Sequence, residues 1–401
     1  MNIVIGGGAA GMMAAGQLAA RGMKTLLLER NDKLGKKLYI TGKGRCNLTN
    51  TADARDMMEY IPGNPSFLYS ALYAFDSAAC MAFFEGLGVP LVTERGGRVF
   101  PASEKASDVV RALERFLDRG GVEVRLGAGV REVRRNAVII DNGAVIECDN
   151  IIIATGGLSY PATGSTGDGY KFARAVGHKV TKLYPSLVPL KAGDDWVPEL
   201  QGLSLKNIAV TLKGGGKKVH SDFGEMLFTH DGVSGPVILS ASRHVAHGGQ
   251  SLSIDLKPAL DESELDSRIL RDFAKYINKS FKNCLDELLP RMLIPVIVRL
   301  SGIDPERKAH DITKAERKAL VKLLKNLELN ITGAAGFDEA VITRGGVCVD
   351  EIDPSTMGSK LVRGLYFAGE VLDLDAYTGG YNLQIAFSTG FIAGNAVQRG
   401  S

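Results

Sequence analysis

A chain of 401 residues, 45% apolar and 23% charged, has the composition of an ordinary globular protein and the length of two or three domains. Its net charge of +3 is too small and too evenly spread to point to nucleic acid, and no apolar run reaches the ~18 residues that span a bilayer. Five scattered cysteines (46, 80, 148, 284 and 348) and six histidines form no C-x-x-C, disulfide framework or metal-ligand spacing, so reduced thiols and no metal are expected.

Residues 2–29 read as strand, glycine turn, helix and second strand closed by an acid. Gly6, Gly8 and Gly11 supply the G-x-G-x-x-G spacing: one for the tight turn, one for backbone approach to a pyrophosphate, one for close packing of helix on sheet. Glu29 falls where a carboxylate accepts ribose hydroxyls. Strand, helix, second strand and acid in this order predict a dinucleotide site. The first strand begins at residue 2, which leaves no room for a signal peptide and predicts a cytoplasmic protein.

Further along, helices are predicted at 77–87 and at 103–118, the second with Val109, Val110, Leu113 and Leu117 at helical spacing. Short apolar runs at 122–126, 130–133, 137–140 and 144–148 read as a β-meander. Ile151-Ile152-Ile153-Ala154-Thr155-Gly156-Gly157 reads as a buried strand whose end lies beside the first glycine turn. From 187 to 258 short strands alternate with turns such as Gly214-Gly215-Gly216 and Gly248-Gly249, and 259–326 has the apolar spacing of three or four helices. Strand character returns near 337–349, and Leu365–Glu370 resumes the first domain. The expected fold class is α/β, a Rossmann-type FAD-binding domain of the glutathione-reductase kind. Its expected domains are 1–186 with 350–401, a β-rich domain at 187–258 with 332–349, and a helical cap at 259–331.

Three features favour FAD over NAD. The meander and the Ala-Thr-Gly-Gly strand end follow the Rossmann start, and Leu365–Glu370 is similar to a second FAD fingerprint whose acid binds a ribitol hydroxyl. Thr378-Gly379-Gly380-Tyr381-Asn382-Leu383-Gln384 then opens a helix whose N-terminus suits the flavin N1–C2=O edge. A terminal packing helix is the plainer reading of that last segment.

Lys36-Lys37-Leu38-Tyr39-Ile40-Thr41-Gly42-Lys43-Gly44-Arg45-Cys46-Asn47-Leu48-Thr49-Asn50 resembles the signature of a bacterial flavoprotein family. The family is called HI0933-like or YhiN-like, and also aminoacetone oxidase family FAD-binding enzymes. The resemblance runs through Ser159–Gly169, Gly224–Pro236, Thr343–Val347 and Ala368–Asp375. It implies an FAD domain, a flattened β-barrel-like domain and a small helical domain. Similar proteins include oxidases of small amino ketones and bile-acid ene reductase-like enzymes, and fold alone does not choose between them.

The candidate ligands of a non-covalent FAD are Gly6, Gly8, Ala9, Ala10, Gly11, Glu29 and Arg30 around the first turn, and Lys37, Thr41, Gly42, Gly44, Arg45, Cys46 and Asn47 in the signature loop. Val130, Ala154, Thr155, Gly156, Gly369, Glu370, Gly380, Tyr381, Asn382 and Leu383 complete the set. Arg45 is expected as a cation for the pyrophosphate or the ring edge, with a surface ion pair as its alternative, and Cys46 reads as a small buried group rather than a redox thiol. For catalysis His230, Arg344, Tyr160 and Tyr377 are the candidates, each with a structural alternative: a solvated turn for His230, a domain junction for Arg344, core for the tyrosines.

No second glycine fingerprint follows a strand, so NAD(P)H is expected as a transient donor that shares one cleft with the substrate. The leading expectation is an FAD-dependent, NAD(P)H-fed reductase of a conjugated carbonyl compound, 3-oxo-enone and steroid-like. Its rivals are a peroxide-forming oxidase of small amines and, third, a flavin-dependent RNA-modifying or non-catalytic flavin-binding protein. A small-molecule substrate is expected, without nucleic acid or membrane. Nothing in the sequence fixes the oligomeric state.

Overall fold

The computed structural model describes residues 1–245 and 249–398. They form two compact units, 1–186 with 337–398 and 187–336. The first is built on a five-stranded parallel sheet in the order Leu365–Phe367, Asn150–Ile153, Asn2–Ile5, Thr25–Leu28, Glu123–Arg125. Asn2–Ile5 lies at its centre: Ile3, Val4 and Ile5 are β-branched and the strand is buried throughout, as a parallel strand covered on both faces must be. Ile5 pairs with Ile153, so the end of Asn150–Ile153 does lie beside the first glycine turn.

The helix Ala9–Ala20 is buried nearly all round. One side covers the sheet, and the other meets the C-terminal helix Tyr381–Ala396. That crossing is tight: a Cβ on Gly390 would stand 2.4 Å from the Ala10 carbonyl oxygen. Small residues therefore let the two helices approach and bring the start of Tyr381–Ala396 to the dinucleotide turn. Ala106–Gly120 buries Val109, Val110, Leu113 and Leu117 as its spacing requires and ends at Gly121 in the left-handed conformation.

The second unit is a closed six-stranded barrel: Leu190–Ala192, Gly232–Ser234, Lys217–Phe228, Ser204–Gly214, Gln250–Asp255 and Leu327–Ala334, the last pairing back on the first. The helices Glu262–Lys275, Ile294–Ser301 and Lys314–Lys325 are inserted between its two neighbouring strands Gln250–Asp255 and Leu327–Ala334. Barrel residues such as Leu212, Phe228 and Leu329 share one apolar core with Leu265, Ile297 and Leu320 of the helices.

Several expectations need correcting. Glu123–Arg125 is the edge of the parallel sheet and not part of the meander, which consists of Val130–Arg134, Ala137–Ile140 and Val145–Glu147. Residues 337–349 group with the first unit, because Ile342–Arg344 pairs antiparallel with Tyr184–Ser186. The helical segment stops before Leu327, where the last barrel strand begins. Residue 248 of the Gly248–Gly249 turn is outside the described residues. Among the described residues no single helix is long and apolar enough to cross a membrane.

Candidate active site: a dinucleotide cleft

At the first turn Gly6 adopts φ +104°, and a Cβ there would stand 2.5 Å from the Ala154 carbonyl oxygen. A Cβ on Gly11 would stand 1.8 Å from the Gly6 carbonyl oxygen, whereas one on Gly8 meets nothing within 4 Å. Two of these glycines serve packing, and the third faces open space. Gly8 caps Ala9–Ala20 without a side-chain hydrogen bond, and the helix has no acid in its first turn. Its free N–H groups and positive dipole end are left for a diphosphate.

Glu29 is 7% exposed and held by three donors. The Gly7 amide donates to Oε2 at 2.7 Å, and the Asn31 amide and side chain donate to Oε1 at 2.8 and 2.7 Å. A carboxylate offers about four acceptor sites. Only one site therefore remains for a ribose hydroxyl, where the sequence suggested room for two. Removing that charge-assisted bond with Glu29→Ala is expected to cost about 1.5–3 kcal/mol of FAD affinity. Titration of apoprotein with FAD checks this, and an unchanged Kd would mean that Glu29 serves the turn alone.

Arg30 donates to Asp168 at 2.6 Å and to the Thr166 hydroxyl. Across the cleft Lys37 Nζ donates to Glu370 Oε2 and to Ser159 Oγ, both at 2.6 Å. Glu370 Oε1 accepts from Ser159 Oγ at 2.5 Å and from the Thr343 amide at 2.9 Å. This network draws three distant segments together around one carboxylate. At the start of Tyr381–Ala396, Gly380 is the cap (φ +101°), and Asn382 braces the turn through the Ala376 amide and carbonyl at 2.9 and 2.8 Å. That helix also lacks a side-chain cap and an acid in its first turn.

These elements enclose one cleft of about 1340 Å³ including its open mouth. All of its lining residues belong to the first unit. Of the sequence candidates it brings together Gly6, Gly8, Ala9, Ala10, Glu29, Arg30, Lys37, Thr41, Val130, Ala154, Thr155, Gly156, Gly369, Glu370, Asn382 and Leu383. Asn31, Ser165, Thr166 and Asp168 line it too and were not among the sequence candidates. Ser159 and Thr343 support it from behind the lining. The Ser159–Gly169 motif carried a signal for most of them. Asn31 had none beyond its place after Glu29.

Other candidates do not line the cleft. Gly11 and Gly380 shape turns behind it, and Tyr381 is buried with its ring stacked on Tyr60 at 4.5 Å. Arg45 pairs with Glu94 at 2.7 Å and Glu104 at 3.3 Å and lies over the Phe100 ring at 4.1 Å. The Arg45 hydrogen bond holds the Glu94 carboxyl below its usual range. The structural reading of Arg45 therefore prevails over the phosphate one. Burial pushes the Cys46 thiol up to about 12, so it is a protonated, inert group. Gly42, Gly44 and Asn47 stand outside the lining with it. Native protein is expected to show one thiol, Cys348, reacting promptly with a disulfide reagent, because the other four are buried. Prompt reaction of a second thiol, mapped by mass spectrometry to Cys46, would restore the redox reading.

The catalytic candidates are dispersed. Tyr160 (φ +51°) opens the turn Pro161–Thr163, and its amide donates to Phe337 O at 3.2 Å. The Tyr377 amide donates to Tyr60 O at 2.9 Å. The Arg344 guanidinium lies over the Tyr184 ring at 4.5 Å. His230 is exposed in the second unit, between Lys217–Phe228 and Gly232–Ser234. None of the four is among the cleft-lining residues.

The cleft fits FAD by its own chemistry. Gly8 leaves space where a side chain would stand, two uncapped helix N-termini converge on it, and the Thr155 hydroxyl in its wall is buried without a partner. Fold and site define an FAD-dependent oxidoreductase. The model of the HI0933-like protein Rossmann domain matches residues 1–396, and the chain belongs to that family. It is 34% identical to a 3-dehydro-bile acid delta(4,6)-reductase of Clostridium scindens over 98% of both chains. It is 33% identical to a ribosomal RNA dihydrouridine synthase of Haemophilus influenzae over 99% of this chain and 98% of that one. Among solved structures, a 3-ketosteroid delta1-dehydrogenase of Sterolibacterium denitrificans is 13% identical, covers 98% of both chains with a TM-score of 0.51, and shares the fold.

Proposed function

We propose that this protein saturates a carbon–carbon double bond conjugated to a carbonyl, with NAD(P)H as electron donor. What carries the reading is the chemistry common to two relatives that match nearly full length. A delta(4,6)-reductase of a 3-dehydro bile acid saturates bonds in conjugation with a 3-oxo group, and dihydrouridine is uridine with its C5=C6 bond, conjugated to C4=O, saturated. FAD, when bound, supplies the hydride chemistry for such a step. The chain's own part is to orient the cofactor with Glu29, Lys37 and Glu370 and to deliver a proton to the carbon next to the carbonyl.

A steroid-like 3-oxo-enone is the first substrate reading. Uridine in RNA is the second, favoured by the H. influenzae relative. One cleft serving donor and substrate in turn agrees with the fate of Gly214–Gly216, which is a hairpin turn between two barrel strands, not a nucleotide loop. The test is anaerobic reduction by NADH or NADPH, followed by a 3-oxo-4,6-diene steroid or a uridine-containing transcript. Flavin colour should bleach with the donor and return with the acceptor, and double-reciprocal plots should be parallel. Peroxide formation from an amino ketone in air, without NAD(P)H oxidation by either acceptor, would sink the reading.

A further inference from the structure

His178 is the one histidine in the sequence of the first unit; the other five lie between residues 220 and 310. It follows the helix Asp168–Ala175, its side chain is fully buried, and its ring stands nearly perpendicular to that of Phe367, centroids 5.0 Å apart. Nδ1 lies 3.1 Å from Glu351 Oε2, and Nε2 lies 2.7 Å from Ser359 Oγ. A carboxylate only accepts, so Nδ1 carries the proton, and Nε2 of the neutral ring accepts from the Ser359 hydroxyl. Ser359 Oγ in turn accepts from the Leu361 and Val362 amides at 3.1 and 2.8 Å, which fills both of its lone pairs. The cluster is complete only with a neutral imidazole. A second proton, on Nε2, would face an oxygen with no lone pair left and strip the serine hydrogen of its acceptor. Burial outweighs the Glu351 carboxylate and holds the imidazole below its ordinary 6.5. Of the other charged groups nearby, Arg174 and Lys179 are exposed, Asp353 accepts from Ser355, and Lys360 donates to the Asp350 carbonyl.

Glu351 and Ser359 belong to a loop that runs along the outer edge of the parallel sheet. The Ser359 amide donates to Leu365 O at 2.8 Å, the Phe367 amide to Met357 O at 3.0 Å, and the Lys360 amide closes the loop on Glu351 O at 2.9 Å. Met357 is held at φ +60° within it, a conformation its surroundings must impose. Leu365–Phe367 is the edge strand, and the chain passes from it directly to Gly369 and Glu370 in the cleft lining.

We propose that neutral His178 latches residues 349–362 onto the strand that carries Gly369 and Glu370, and that acid opens this latch and loosens FAD. His178 is thus a positioning residue, acting on the cofactor through the strand. The proposal rests on the FAD cleft and is independent of the substrate. Its sign follows from the buried cluster: an opened segment takes up a proton that the latched one excludes. The latch is therefore at full strength above pH 6.5 and weakens as the pH falls below it. One proton taken up at that ordinary value shifts the opening equilibrium about tenfold by about pH 5.5.

The test follows holoenzyme from about pH 8 down to about pH 5, across the range in which histidine titrates. Hydrogen exchange of the 357–367 amides, divided by the intrinsic rate at each pH, reads the latch, and flavin fluorescence reads FAD release. In wild type both should rise together below pH 6.5, by about tenfold and no more than one proton's worth per pH unit. His178→Asn keeps a donor toward Glu351 and has nothing to titrate. Its exchange and FAD release should be faster than wild type at neutral pH and flat across the range. Wild type alone decides if that variant does not fold: the His178 imidazole, followed by histidine-labelled NMR, should stay neutral below pH 6.5 as long as FAD is bound. The proposal is overturned if wild-type exchange at 357–367 is independent of pH, or if it rises while FAD stays bound. Protonation of His178 near 6.5 with FAD retained overturns it too, as does a pH dependence that survives in His178→Asn. None of these measurements needs turnover, so their result is distinct from failure of the reductase reading.

Discussion

Gly11→Ala is expected to damage the protein before any cofactor is added, and Gly8→Ala only after. The added Cβ at position 11 would lie 1.8 Å from the Gly6 carbonyl oxygen, a backbone atom in the tightest part of the turn. Helix and strand must separate to admit it. Overpacking of this kind costs about 3 kcal/mol, a fall of roughly 6–12 °C in the Tm of a unit this size. Gly8 has φ −86° and open space around its Cβ position, so alanine there leaves the apoprotein as stable as wild type. Its methyl then occupies the approach to the uncapped helix N-terminus and excludes a diphosphate. Thermal melts of the two apoproteins alongside FAD titrations check both halves. Equal melting with equal loss of FAD would mean that Gly11, like Gly8, faces the ligand.

The ease of reading that turn from sequence, and the difficulty elsewhere, have one cause. The βαβ unit is local: glycines, buried strand and helix lie within 28 residues, and each reports on its neighbours. The helices at 77–86 and 106–120 were legible for the same reason. Glu123–Arg125 was misplaced because an edge strand of half-exposed charged residues lacks the apolar run of a buried parallel strand. Residues 337–349 were misplaced because their partners, Tyr184–Ser186, are some 158 residues away, beyond a whole inserted unit. Arg45 looked like a phosphate ligand while its partner Glu94, 49 positions on, was invisible. The missed supports Ser159 and Thr343 act on Glu370 across 211 and 27 residues. Pairings of this kind follow from packing and leave no periodic trace.

Removing either partner of the Lys37–Glu370 pair should cost more than removing both. The two charges are 2.6 Å apart, with side chains only 23% and 16% exposed. Lys37→Met leaves Glu370 facing the cleft with its charge uncompensated beside an anionic cofactor, although Ser159 and the Thr343 amide still donate to it. Glu370→Leu leaves the Lys37 ammonium with Ser159 as its one remaining hydrogen-bond partner. Breaking a buried pair from one side costs about 3–5 kcal/mol, and replacing both members with apolar groups is often close to neutral. At these exposures water screens part of the effect, and about 2–3 kcal/mol is expected for each single variant. The double variant should recover much of the apoprotein's stability. It should not recover FAD, because the carboxylate that would accept from the cofactor is gone. A double-mutant cycle read by urea unfolding and by FAD retention separates the two roles. Additive losses in stability would show that the pair does not couple. Full FAD retention in the double variant would show that Lys37 and Glu370 brace the cleft without touching what it holds.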